Sequence, residues 1–303
     1  MASLQLTSVD DQYLALGLAG MASAGEPFMA HFGAALLAAW WLDRDTGLSE
    51  AASRTMVNQA DAIVKKHSWL FSHLPVATGG DRSDEFVEAI ESGLGHVWAI
   101  GHDVIYASLV VRTLQERPGL ACDSTVDGVL RVLEACRAQP LEVIGGVFQI
   151  GDAIAEEVAD EEVADASSLA KVALTTMLEV QHVYVGLHQG DIGHLADHAH
   201  GLLVLDRLGY RNAALRGRSG FRQHLAAIRR VRYLTADLVE VRHGLDADPR
   251  EHQYWDQSWS GNDWAFGHAF KYPYAFLDLL EVAGDDDLAS PTLNRLGELV
   301  AES

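Results

Sequence analysis

Apolar residues along this chain recur three and four apart, as at Leu36, Leu37, Trp40 and Trp41 or at Leu202, Leu203 and Leu205, and clean alternation is hard to find. A period near 3.6 is that of a helix with one face turned to a core. The pattern predicts an all-α fold with helices at 10–20, 27–43, 49–66, 83–92, 96–116, 124–137, 141–158, 167–187, 192–208, 219–242, 264–282 and 291–301. The punctuation agrees: Asp45–Gly47, Pro75–Gly80, Arg117–Gly119, Gly209 and Gly284–Asp287 all fall between these stretches.

Two of the predicted helices read alike. Residues 98–115 are WAIGHDVIYASLVVRTLQ and residues 264–281 are WAFGHAFKYPYAFLDLLE, so at an offset of 166 Trp98, Ala99, Gly101, His102, Tyr106 and Leu114 match Trp264, Ala265, Gly267, His268, Tyr272 and Leu280. On a helix Trp, His and Tyr at i, i+4 and i+8 share a face. A second pair supports the repeat: His31 stands eleven residues before Leu42-Asp43-Arg44, and His194 eleven before Leu205-Asp206-Arg207. The expectation is two related halves, 1–150 and 151–303, folded as one compact domain about a pseudo-twofold axis, with the join inside the acidic stretch Asp152–Asp165.

Composition narrows the partners. The 303 residues carry 43 acidic and 22 basic side chains, a net charge of −21, which leaves no basic footprint for nucleic acid or an anionic membrane. Cys122 and Cys136 are too few for a disulfide framework and too far apart for a zinc knuckle. The opening MASLQLTSVDDQ lacks a basic and an apolar region, and FGAALLAAWWL is too short to span a bilayer. A cytoplasmic protein with no membrane partner is expected, its oligomeric state undetermined.

The chemistry sits in the fourteen histidines. A pseudo-twofold axis would bring His31, His102, His194 and His268 together, and converging imidazoles suit a transition metal. Around His194 the sequence is crowded. Asp191, His194 and His198 share a helix face, which makes His198 a further candidate ligand; His200 turns away from it toward a core or supporting place, and His182 and His188 stay open. His67, His73, His224, His243 and His252 have polar neighbours and no matched partner, so a surface position is expected for each. Lys271 breaks the symmetry, because the first copy has Ile105 there. An ammonium beside a metal dication is repelled, so a lysine at that site must be neutral, pointed away, or converted to an anionic carbamate able to ligate. Pro273 removes a helical hydrogen bond, so the helix is expected to kink or begin there with the Ala269 carbonyl left free.

Four segments resemble the questin oxidase-like proteins. Gly267–Glu281 is similar to their His-x-x-Lys segment, Gly101–Gln115 to a motif in which a His precedes an apolar helix carrying a Tyr, and Gly193–Tyr210 to a helix of the form His-x5-His before a leucine-rich run. Ala30–Leu42 resembles the N-terminal Asn-His helix, with Ala30 in place of the Asn. The resemblance implies an all-α oxygenase that oxidises or opens a ring of an anthraquinone-like polyketide, with O₂ and non-haem Fe(II) held by histidines, the reducing cosubstrate being unspecified. On that reading His31, His102, His194 and His268, with His198, are the metal candidates. Lys271 is a carbamate ligand or a proton-transfer group, Tyr106 and Tyr272 are catalytic candidates, and Trp98 and Trp264 would stack on a flat substrate. Two other classes remain open: an HD-type metal phosphohydrolase, because His102-Asp103 is a His-Asp pair on a helix, and a non-catalytic helical ligand-binding protein whose histidines only pack.

Overall fold

A computed structural model describes residues 9–74, 82–139, 158–180, 182–184, 189–231, 238–240, 248–256 and 263–301. Its helices are α1 (Asp11–Ala24), α2 (Pro27–Thr46), α3 (Glu50–Lys66), α4 (Ser83–Glu91), α5 (His102–Glu116), α6 (Asp123–Arg137), α7 (Ala166–Glu179), α8 (Gln189–Arg207), α9 (Arg211–Val231), α10 (His252–Trp255), α11 (Asp263–Ala283) and α12 (Ala289–Ala301). The all-α expectation holds. The exception among the described residues is one short antiparallel ladder, β1 (His182–Tyr184) with β2 (Leu238–Glu240). It lies where the predicted helices 167–187 and 219–242 were expected to continue, so α7 stops at Glu179 and α9 at Val231. Residues 141–157 of the predicted helix 141–158, and with them 152–157 of the join, lie outside the described residues; the rest of the join forms a short 3-10 turn at Asp160–Val163 and the Asp165 cap of α7.

Local chemistry fixes the helix ends. Asp10 caps α1 by accepting the Gln12 N–H at 2.9 Å, and Ser49 caps α3 by accepting from Ala52 at 3.2 Å. Pro27 opens α2, where a missing N–H costs nothing, and Gly47 closes it with a left-handed φ of 65°. Helices α1 and α2 run in backbone contact: a β-carbon on Gly33 would lie 2.4 Å from the carbonyl oxygen of Gly17. The start of α9 differs from the sequence expectation for the same reason. Helix α9 starts at Arg211 rather than at residue 219, and Gly217 and Gly220 lie within it, Gly217 pressed against Leu202 and Gly220 against the His96 carbonyl.

Four helices surround the centre: α2 packs on α11, α5 on α8, and α8 on α11. Helix α11 runs through Pro273 without restarting. The carbonyl that Pro273 cannot engage is that of Ala269, and it is not left free, because the buried Tyr254 hydroxyl donates to it at 3.0 Å. A tertiary contact thus replaces the lost helical bond in the helix that carries His268, Lys271 and Tyr272. Among the described residues no helix is long and apolar enough to cross a membrane.

Candidate metal centre

Each of the four central helices contributes one histidine, His31 from α2, His102 from α5, His194 from α8 and His268 from α11, and all four are buried. His31, His102 and His194 each present a ring nitrogen, the three lying within 4.8 Å of one another. Ring centroids are 4.6 Å apart for His31–His102 and 4.4 Å for His102–His194. His268 closes the circle at 5.4 Å from His31 and 4.8 Å from His194.

The hydrogen bonds settle which nitrogens point inward. Nδ1 of His31 lies 3.0 Å from the Phe28 carbonyl, 3.2 Å from that of Pro27 and 2.9 Å from the Tyr106 hydroxyl, which itself donates to Pro27 at 2.8 Å. Nδ1 of His102 faces the Ala99 carbonyl in a short contact. A carbonyl only accepts, so in both rings Nδ1 carries the proton and Nε2 is a bare lone pair. Those two Nε2 atoms face each other at 2.9 Å. Two lone pairs at that distance repel unless a cation lies between them. A proton is a poor candidate, because burial first, and Lys271 after it, hold both imidazoles well below the ordinary histidine range. His194 has its Nδ1 at 3.0 Å from the Tyr272 hydroxyl, and among the described residues its Nε2 has no hydrogen-bond partner.

Both tyrosines therefore hold a histidine rather than face open space. Each stands four residues after one site histidine and bonds Nδ1 of another on a different helix. Tyr272 also stacks on His268, centroids 4.7 Å apart and planes 6° from parallel. The backbone leading into the two copies does not repeat, however. Trp264 lies within α11, whereas Trp98 is extended and precedes a turn, so Trp98 does not share a helix face with His102 and Tyr106. Its indole donates to the Gly93 carbonyl at 2.9 Å beside the exposed His96 ring. The side chain of Trp264 lies outside the described residues.

Other expectations are redrawn. His198 stands away from the three-histidine group and pairs with His224, Nδ1 to Nδ1 at 3.3 Å. His224, expected at the surface, is wholly buried. His200 is buried 3.2 Å from Asp278. His67 is half-buried and stacks on Phe32 at 4.3 Å, while His73 is exposed as expected. His188 and His243, and the side chain of His182, lie outside the described residues.

Lys271 does not snorkel. It is 2% exposed, with Nζ 5.9 Å from the ring centres of both Tyr106 and Tyr272 and 3.4 Å from Oδ2 of the equally buried Asp197. Burial drives the lysine pKa down against the pull of Asp197, and drives the Asp197 pKa up against that of Lys271, so both groups are pushed toward their neutral forms. Asp197 was absent from the sequence-derived site. Its signal was its place three residues after His194, on nearly the same helix face.

No family model, curated protein or solved structure matches the chain significantly. What the site can do therefore follows from its atoms. Three neutral imidazoles with converging nitrogens can hold a metal ion, and imidazole suits zinc, copper, iron and nickel alike. Asp103, the acid an HD-type site would require, is not in the group. It is buried beside Cys136 and Arg137 of α6, its carboxyl pushed up to about 7 mainly by burial.

Proposed function

We propose that this chain is a non-haem iron oxygenase acting on a flat aromatic compound, of the anthraquinone-like polyketide class that the resemblance implies. The observation that carries the metal reading is the pair of bare Nε2 atoms of His31 and His102, 2.9 Å apart and buried. The three donors spread up to 4.8 Å, so the spacing itself selects no metal; iron is proposed on the resemblance, and imidazole donors suit it. His31, His102 and His194 would hold it, with His268 as the fourth imidazole.

Iron(II) supplies the means to bring O₂ and a phenol-type substrate into one reaction. The chain's own residues orient and insulate. Tyr106 and Tyr272 keep His31 and His194 in place, and the apolar packing around the four rings excludes water. Lys271, paired with Asp197, is placed to pass a proton or, as a carbamate, to ligate. The test is anaerobic loading with iron(II) followed by oxygen-uptake assays on hydroxyanthraquinones. Uptake tied to substrate loss supports the reading, as does its disappearance in Lys271→Arg as in Lys271→Ala, because arginine keeps a permanent charge. Iron-loaded protein inert toward every aromatic tested would overturn it.

A further inference from the structure

Three consecutive residues just before His102 have left-handed backbone: Ala99 at φ 43°, Ile100 at 58° and Gly101 at 85°. Glycine adopts such angles freely. In alanine and β-branched isoleucine the β-carbon crowds the backbone, and among the described residues these two are the only non-glycines with positive φ. Strain of this kind persists only where the surroundings enforce it, and it gathers at functional places.

The surroundings here are specific. The Ala99 N–H donates to the Gln139 carbonyl at 2.7 Å, and that of Gly101 to the Trp98 carbonyl at 2.8 Å. Gly101 lies flat on the His198 ring: a β-carbon there would meet Cγ at 2.9 Å and Nδ1 at 3.0 Å. The turn aims the Ala99 carbonyl at Nδ1 of His102. His31 needs no such device, because its own helix supplies the carbonyls of Pro27 and Phe28 one turn earlier. His102 is the first residue of α5, and the one turn before it, the 3-10 turn Ala99–Gly101, is left-handed rather than α-helical. A strained turn stands in for a helical one.

The geometry points to the Ala99–Gly101 turn, seated on His198, as a positioning element that fixes the His102 ring for a metal ion. Ala99, Gly101 and His198 act through His102 and touch no metal themselves. The inference rests on the metal reading above.

Cobalt(II) titration of the metal-free protein, with melting of the same samples, tests it. Ala99→Gly relieves the strained angle and loosens the carbonyl. It should melt no lower than wild type yet bind cobalt on the order of 10-fold more weakly, the lower end of what loss of an outer partner costs. Gly101→Ala should weaken binding further, and adding His198→Ala should restore part of it by removing the ring that the new methyl strikes. A purely structural turn moves stability and affinity together. Wild-type affinity in Ala99→Gly, or a loss that only follows a fall in melting temperature, overturns the inference. If wild type itself binds no cobalt, the metal reading fails instead.

Discussion

Lys271 and Asp197 face each other across 3.4 Å, each almost wholly withdrawn from water. Removing one partner of such a pair leaves a buried group with nothing to compensate it, whereas replacing both with apolar residues is often neutral. With both groups pushed toward their neutral forms, Asp197→Ala strands a buried amine and should lower unfolding free energy by about 1–3 kcal/mol. The double variant Asp197→Leu, Lys271→Met should lie closer to wild type than either single change. Denaturant unfolding of the four proteins checks this, and a double variant as unstable as the sum of the singles would contradict it.

Acid should unfold the protein early. Burial holds the pKa values of His31, His102, His194, His198 and His224 below the ordinary value, that of His198 at about 3. In the unfolded chain these rings take up protons near pH 6.5, so the unfolded state binds more protons and stability falls as pH drops below that value. Asp103 and Asp197, with raised values, act in the opposite sense over the same range, leaving the histidines ahead five to two. Thermal melts of metal-free protein should show a falling melting temperature from pH 7 to pH 5. A flat profile would mean that the imidazoles are not buried as described.

Tyr254→Phe removes the one donor to the Ala269 carbonyl opposite Pro273. The expected cost is about 1–3 kcal/mol, that of stranding a buried acceptor. Pro273→Ala in the same background restores a helical donor and should recover part of it. Calorimetric melts of the single and double variants decide the matter.

The two tyrosines should not be equivalent. His31 keeps the Phe28 carbonyl if Tyr106 is lost, whereas among the described residues Tyr272 is the one partner of His194 Nδ1. Tyr272→Phe should weaken metal binding by about 10–100-fold, and Tyr106→Phe by less. Equal losses, measured by metal titration, would argue against this account of the two rings.

Much of this was legible in the sequence, for identifiable reasons. Strong 3.6-residue periodicity placed α2, α3, α4 and α6 almost to the residue, and the repeated His and Tyr at fixed spacing foretold the four central histidines. What failed depends on contacts between distant segments. Helix α9 starts at Arg211, ahead of its predicted 219, because the contacts that its glycines make, with Leu202 and the His96 carbonyl, are remote in sequence. The helix expected from residue 96 begins at His102 because Ala99 and Ile100 take left-handed angles that no propensity foretells. Asp197 went unnamed because only the fold brings it to Lys271, on a helix remote in sequence.

The central claim, that His31, His102 and His194 hold a metal ion, is tested most directly by counting metal. Protein expressed in iron-supplied medium, purified without chelator and analysed by plasma mass spectrometry should contain close to one equivalent per chain. His102→Ala should contain almost none while keeping the wild-type helical circular dichroism, and His73→Ala should match wild type. Metal-free wild type after anaerobic iron(II) loading, or full occupancy in His102→Ala, would contradict the account.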